Sequence, residues 1–227
     1  AFNCDFSELT SCGVELALGR QDQALLTGVD YVVLSPGVSI YSPLVEQAKQ
    51  QGLLVLSEIE VAYQLCPAPI IAITGTNGKT TTTTLIGEIL KAAGRDAVVG
   101  GNIGLALSQE VQKATTSSMV VAEISSFQLE AVVDFRPHIA VILNLTPDHL
   151  DRHRTMANYQ AAKENIFRNQ NESDYLILNY DDPIVRDMAA RAAAQIFYFS
   201  RLTKLPEGIF VRDGVITVNW RGVMQEI

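Results

Sequence analysis

The chain has 227 residues, enough for a sizeable core and for one complete domain plus part of another. Its 48% apolar content excludes a disordered chain, and its net charge of −8, from 17 basic and 25 acidic residues, excludes a broad nucleic-acid-binding surface. Cys4, Cys12 and Cys66 form no C-x-x-C pair, which argues against a disulfide framework or zinc site and fits a reducing cytoplasm; neither an apolar run of about 18 residues nor a signal-peptide pattern occurs.

The chain opens on Ala1 without an initiator Met and reads as a fragment. Residues 1–66 have the pattern of the tail of an α/β domain. Tyr31–Leu34 is a short buried strand that runs into the turn Ser35-Pro36-Gly37, and a helix is predicted from about Pro43, with proline in its first turn, to Gly52. Leu53–Leu56 is the next strand, and Ser57-Glu58-Ile59-Glu60 starts a helix with an acidic first turn. Strands alternating with helices imply a parallel sheet whose ligands bind beyond the strand C-termini. Ser35-Pro36-Gly37 lies at such an end and reads either as a ligand-facing turn or as a plain one. Cys66-Pro67-Ala68-Pro69 is the linker to a second domain over 67–227, since two prolines in three residues stop the helix and stiffen the connection.

Pro69–Ile73 is continuously apolar, as a fully buried parallel strand is, and Leu85, Ile86, Ile89 and Leu90 recur at helical spacing. Between them lies Gly75-Thr76-Asn77-Gly78-Lys79-Thr80-Thr81, a glycine-rich turn entering a helix N-terminus. Unpaired N–H groups and the positive end of the helix dipole can surround an anion there. Lys79 adds a full charge, and Thr80 offers a hydroxyl to Mg²⁺. The strict phosphate-loop pattern would put its first glycine at position 73, which is Ile; Gly75 makes a shorter G-x-x-G-K-T.

Ala97–Val99 is another strand, followed by Gly100-Gly101-Asn102-Ile103-Gly104. Its glycines would let the backbone approach a ligand, with Asn102 presenting an amide, or would serve as a flexible connection. Met119–Ala122 is a buried strand ending in Glu123, placed downstream of the phosphate loop where an acid holds Mg²⁺ directly or through water; a solvated strand end is the alternative. After the strand His138–Leu143 comes Asp148-His149-Leu150-Asp151-Arg152-His153, in which His149 can bind metal as neutral imidazole. Lys163 falls on the apolar face traced by Tyr159, Ala162, Ile166 and Phe167. It either snorkels to water or is partly buried, and burial would raise its neutral fraction and allow reaction with CO₂ to a carbamate. Tyr175–Leu178, a helix from about Pro183 to Ala194, and Ile196–Phe199 continue the alternation; Asp213-Gly214 between two apolar runs signals a terminal hairpin.

Together these segments resemble the Mur ligases, ATP-dependent amide-forming enzymes of peptidoglycan precursor synthesis. The loop Gly75–Thr81 is similar to that family's own version, and Glu123-Ile124-Ser125-Ser126-Phe127-Gln128-Leu129-Glu130, Gly100–Gly104 and Asp148–Arg152 resemble its D-glutamate-adding branch. The resemblance implies a partial Rossmann-like N-terminal domain over 1–66. It also implies a central ATPase domain with a mostly parallel sheet over 67–227, incomplete at its C-terminus. The implied reaction is transfer of phosphoryl from ATP to the carboxylate of UDP-N-acetylmuramoyl-L-alanine, followed by attack of D-glutamate on the acyl phosphate.

By the same resemblance, Lys79 and the loop residues Gly75, Thr76, Asn77, Gly78, Thr80 and Thr81 hold ATP, and Thr80, Glu123, His149 and a carbamylated Lys163 hold two magnesium ions. Asn102 and Ser125 lie near the phosphoryl group and substrate, and Ser35, Pro36 and Gly37 form part of the UDP-sugar site. Small molecules are the implied partners, with no nucleic acid and no membrane span, and the implied state is a cytoplasmic monomer. The family's first strand and glycine-rich turn and its third domain have no counterpart in this chain, so the fragment itself is expected to ligate poorly. A sister amide ligase, of another Mur type or folylpolyglutamate type, would share the loop and the lysine. A non-catalytic nucleotide-binding module is the alternative of a different class; a P-loop GTPase lacks support, because no N/T-K-x-D motif occurs.

Overall fold

The computed structural model describes residues 5–227; Cys4 lies outside them, and Cys12 and Cys66 are free thiols. After helix α1 (Ser7–Ser11), strands β1 (Tyr31–Leu34) and β2 (Leu54–Ser57) pair in parallel as a two-stranded sheet around helix α2 (Pro43–Gln50). Helix α3 (Glu58–Leu65) follows β2 without a break and stops at the Cys66–Pro69 segment.

The larger sheet has nine strands. Strand β3 (Ile70–Thr74) leads through α4 (Lys79–Ala92) to β4 (Ala97–Gly101) at one edge, and α5 (Leu107–Glu110) precedes β5 (Met119–Glu123). Helix α6 (Ser126–Leu129) precedes β6 (Ile139–Ile142), after which come α7 (Leu150–His153) and α8 (Met156–Glu164). Strand β7 (Tyr175–Asn179), helix α9 (Pro183–Asp187), and strands β8 (Gln195–Ser200), β9 (Gly208–Arg212), β10 (Val215–Trp220) and β11 (Val223–Glu226) complete the chain. The order is β11-β10-β9-β8-β7-β6-β3-β5-β4, parallel from β4 across to β9 and antiparallel over the last two pairings.

Alternation of side chains explains why β3 is buried along its whole length. Ile70 and Ala72 join one core with Val120, Ala122, Leu129, Phe135 and the α8 residue Tyr159; Ile71 and Ile73 join another with Val121 and Val141, under Ile86 and Leu90 of α4. Leu85 and Ile89, expected to share the apolar stripe of α4, face outward and are each 57% exposed. The buried face of α3, through Ile59 and Ala62, belongs to the first of these cores.

Further features differ from the sequence-based expectation. Strand β1, expected to be buried, exposes Tyr31 and Val33 because a two-stranded sheet covers only part of it. The helix expected from Pro183 to Ala194 ends at Asp187 and tightens to a 3₁₀ turn over Met188–Arg191. Gly100 and Gly101 belong to β4 rather than to a loop, and a third terminal strand, β11, follows the hairpin. Both two-residue turns, Asp213-Gly214 and Arg221-Gly222, have positive φ at each position (53°, 80°, 51° and 79°), the backbone that matches the twist of antiparallel strands. Among the described residues no helix is long and apolar enough to cross a membrane.

The strand order reverses at β3, which has β5 on one side and β6 on the other. Ligands of such sheets bind beyond the carboxyl ends of the strands at this switch point. The loop Gly75–Gly78, Glu123 at the end of β5 and Asn144 just past β6 all lie at those ends.

Candidate phosphoryl-transfer site

Gly78 caps α4 in the left-handed conformation (φ 84°), which turns the loop into the helix. Gly75 has φ 151°, and a Cβ there would stand 3.0 Å from the Leu143 side chain. The loop is tied to the segment beyond β6: Thr76 N–H donates to Asn144 O (3.0 Å), Asn77 N–H to Asn144 Oδ1 (2.8 Å), and Asn144 Nδ2 to Asn77 O (2.9 Å). Thr76 Oγ1 donates to Thr146 O (3.1 Å), accepts from Thr146 N–H (3.0 Å) and lies 3.1 Å from the Tyr159 hydroxyl. The loop is therefore preformed. Asn144 carried no role in the sequence reading; its position after the strand neighbouring the loop strand is the signal that could have singled it out.

Lys79 Nζ donates to Thr76 O at 2.9 Å, so its charge stays on its own loop. Thr80 Oγ1 donates to Glu123 Oε2 (2.7 Å), and Asn102 Nδ2 donates to Glu123 Oε1 (2.8 Å). Thus two expected site residues, one from the start of α4 and one just past β4, meet on the carboxylate of a third, Glu123, which is only 2% exposed. Gly101 makes this approach possible: a Cβ would fall 2.3 Å from Glu123 O, and Asn102 N–H donates to that same oxygen at 2.8 Å. Gly101 thus admits neighbouring protein backbone, Gly100 makes room for the Glu110 side chain, and Gly104 has open space around it. Thr81 is exposed in the first turn of α4.

Lys163 is 1% exposed and does not snorkel. Its Nζ donates to Gly75 O (2.9 Å) and Thr74 Oγ1 (3.3 Å) from beneath the loop, and lies 4.8 Å from the centre of the Tyr159 ring. Burial, reinforced by the nearby charge of Lys79, lowers its pKa to about 7. A large fraction of the amine is then neutral at physiological pH.

His149 sits on a different wall. It has φ 51°, is half exposed, lies 3.5 Å from Asp148 and packs on the Phe127 ring with centroids 4.8 Å apart. Among the described residues no three His, Cys, Asp or Glu side chains converge as a metal cluster. Hard oxygen donors around Glu123, namely its carboxylate and the Thr80 hydroxyl, nevertheless suit Mg²⁺ rather than a softer metal.

Ser125 caps α6 in a full capping box with Gln128, so its hydroxyl serves the helix end. Ser126, His153 and Glu130 line up in the order of a hydrolase triad: Ser126 Oγ lies 2.9 Å from His153 Nε2, and His153 Nδ1 lies 3.3 Å from Glu130 Oε1. Because the carboxylate can only accept, Nδ1 carries the proton and Nε2 accepts from the serine. All three are nearly inaccessible. Burial, followed by the charges of Arg152 and Lys163, pushes the imidazole to about 4 and keeps it neutral. The arrangement is a buried structural bridge.

The turn Ser35-Pro36-Gly37 is joined to this region by Arg152, whose Nη1 donates to Pro36 O (2.8 Å) and whose Nη2 donates to Val38 O (3.0 Å) and to Glu130 Oε2 (2.6 Å). Sequence reasoning assigned Glu130 no role.

Residues 73–219 match the Mur ligase middle domain, and residues 4–57 match the Mur ligase MurD-like, N-terminal domain. The chain is 50% identical over 218 residues to the UDP-N-acetylmuramoylalanine--D-glutamate ligase of Caldanaerobacter subterraneus subsp. tengcongensis, covering 96% of this chain and 48% of that protein. The protein of the same name from Geobacter metallireducens is 51% identical over 215 residues, 95% of this chain and 48% of its own length. The chain thus spans about half the length of the curated relatives it matches. Among solved structures, a UDP-N-acetylmuramoyl-L-alanyl-D-glutamate--2,6-diaminopimelate ligase superposes with a TM-score of 0.58 at 22% identity, covering 89% of this chain and 54% of that one. E. coli FolC in complex with DHPP and ADP superposes at 0.54 and 20% identity, covering 83% and 58%. These two show a shared fold; the match over residues 73–219, which include the phosphate loop, Glu123 and Lys163, establishes that the chain belongs to the Mur ligase family.

Proposed function

We propose that this chain carries the phosphoryl-transfer centre of a ligase that joins D-glutamate to UDP-N-acetylmuramoyl-L-alanine at the expense of ATP, acting in the cytoplasm as a monomer. The carrying observation is the convergence of Thr80, Asn102 and Glu123 beside a preformed phosphate loop, with Lys163 buried beneath it. The relatives at about 50% identity supply the substrate names. We assign residues 1–66 to the UDP-sugar-binding domain and 67–227 to the ATP-binding domain, a division supported by the two family matches, which end at 57 and begin at 73.

In this reading the N–H groups of Gly75–Thr81 and the Lys79 ammonium bind the ATP phosphates, and Thr80, Glu123, His149 and carbamylated Lys163 hold two magnesium ions. Magnesium, when bound, neutralises charge that develops on the transferred phosphoryl group. Asn102 keeps Glu123 oriented and offers its amide to the substrate, with Ser125 nearby at the start of α6. The Ser35–Gly37 turn positions the UDP-sugar. The chain's contribution is positioning and preorganised electrostatics. The substrate carboxylate takes the phosphoryl group, and ADP leaves. The amino group of D-glutamate then attacks the acyl carbon, loses a proton, and expels phosphate.

The neutral Lys163 amine attacks CO₂, forms an N–C bond and releases one proton to solvent, leaving a carbamate anion. Its remaining N–H can still donate to Gly75 O. On this basis Lys163→Ala lowers kcat of the full-length enzyme by about 10²-fold or more, and added short-chain carboxylic acids partly restore it. An unchanged kcat would remove the role assigned to Lys163.

The decisive experiment follows phosphate and amide formation by the full-length protein with ATP and UDP-N-acetylmuramoyl-L-alanine, with and without D-glutamate. Turnover that depends strictly on D-glutamate, with amide formed in step, is expected. Turnover with L-alanine, a diamino acid or a folate substrate in its place would transfer the chain to a sister ligase, and nucleotide binding without any turnover would make it a binding module.

A further inference from the structure

We propose that Arg152 is a positioning residue that fixes the peptide orientation of the Ser35–Ser39 turn and thereby sets the affinity of the enzyme for its UDP-sugar substrate. The proposal rests on the ligase reading for the identity of that substrate. Its structural half rests on the guanidinium alone.

Arg152, in α7 three residues after His149, joins the turn after β1 to α6. Nη1 reaches Pro36 O, Nη2 reaches Val38 O and Glu130 Oε2, and the guanidinium carbon stands 4.0 Å from the centre of the Phe127 ring. The side chain is 12% exposed and Glu130 4%, so these bonds operate away from water, where they are strong and where leaving one unmade is costly. Leu34, Val38, Phe127 and Ala131 close a small cavity beside them. Two carbonyls of one turn are thus held by a single rigid, planar fork.

The consequence follows from the planarity of the peptide. In a trans peptide the N–H points opposite to the C=O. Holding Pro36 O and Val38 O against Arg152 therefore turns the N–H groups of Gly37 and Ser39 away from it. Among the described residues neither N–H has an acceptor, and nothing lies within 4 Å of where a Cβ on Gly37 would be. The result is a pair of oriented donors on the open side of the turn, suited to an anionic or carbonyl group of the nucleotide-sugar. Phe127 also carries His149 on its ring, so the same guanidinium registers this donor pair against the phosphoryl-transfer half.

The test uses full-length R152M and R152K. In R152M, KM for UDP-N-acetylmuramoyl-L-alanine rises about tenfold or more while KM for ATP stays within about twofold; R152K, which keeps a donor but not the fork, falls between. In the unliganded proteins, hydrogen exchange at Val38 and Tyr41, whose N–H groups donate to Ser35 O and Ser39 Oγ, accelerates about tenfold or more in R152M, and exchange at Ile70–Thr74 does not change. Equal rises in KM for both substrates, or no change in turn exchange in either variant, would overturn the proposal. A wild type that turns over normally and is matched by R152M and R152K sinks this proposal alone; a wild type that neither binds nor uses the UDP-sugar sinks the ligase reading and takes the assigned substrate with it.

Discussion

Lys163 and Glu60 show how one buried charge is handled in two ways. Glu60, fully buried, accepts N–H bonds from Val133 (2.8 Å), Asp134 (3.1 Å) and Phe135 (3.0 Å), so its charge is matched by backbone donors. Lys163 has only the Gly75 carbonyl and the Thr74 hydroxyl, with no carboxylate paired to it among the described residues. Its proton is therefore lost near pH 7 in the folded chain but kept to about 10.5 in the unfolded one. Between these values the unfolded state binds more protons, so stability rises with pH; below about 7 both states are protonated and the burial cost is present in full. Lys163→Met removes that cost. In CO₂-depleted buffer its stability relative to wild type is highest at pH 6–7 and falls by roughly 4 kcal/mol by pH 10. Urea titrations at several pH values read this directly, and a gap independent of pH would show that the amine is solvated.

At the scale of the element, the meeting of β4 with β5 decides whether Glu123 is held. Gly101 has φ 106°, and its missing Cβ would overlap Glu123 O at 2.3 Å; Gly104 has φ 68° and open space around it. Gly101→Ala must push the strands apart and is expected to cost about 3 kcal/mol or more, with loss of activity. Gly104→Ala bears only the backbone strain, about 1 kcal/mol. Thermal melts of the two variants separate these effects, and equal losses would refute the close-approach argument.

The same elements mark what the sequence made legible. Continuous apolar runs such as Ile70–Ile73 and Met119–Ala122 stand out, as does Asp213-Gly214, because burial on both faces and a positive-φ turn each demand particular residues. The loop and Glu123 stood out by placement and motif, whereas Asn102 and Lys163 were left between two readings by the residues alone and took site roles only through the family resemblance. Glu60, Asn144 and the Glu130–Arg152 link were not, since each acts on a partner distant in sequence: Glu60 on residues 73 to 75 positions away, and Arg152 on one 116 positions away. Leu85 and Ile89 misled because helical spacing marks a stripe but not how much of it the sheet covers.

At the scale of the molecule, the question is whether the small sheet stands alone. A two-stranded sheet is marginal in water, and Tyr31, Val33 and Leu54 are exposed on it. Its support comes from its neighbour: Ser57 N–H donates to Ala131 O (2.7 Å), Glu58 Oε1 accepts from Ser108 N–H (2.6 Å), and α3 buries Ile59 and Ala62 in the main core. Both sheets should therefore unfold together in urea. Trp220, the sole tryptophan, packs against Phe197 at 5.0 Å and reports the large sheet by fluorescence, while hydrogen exchange at Tyr31–Leu34 reports the small one. Coincident midpoints are expected in the wild type. Glu60→Ala leaves the N–H groups of Val133, Asp134 and the buried Phe135 without their acceptor beside α3 and costs roughly 2 kcal/mol or more, and it should lower both midpoints together. Protection lost from Tyr31–Leu34 at a urea concentration where Trp220 fluorescence is still native would mean that the small sheet opens on its own, and that the α3 junction is a hinge rather than a weld.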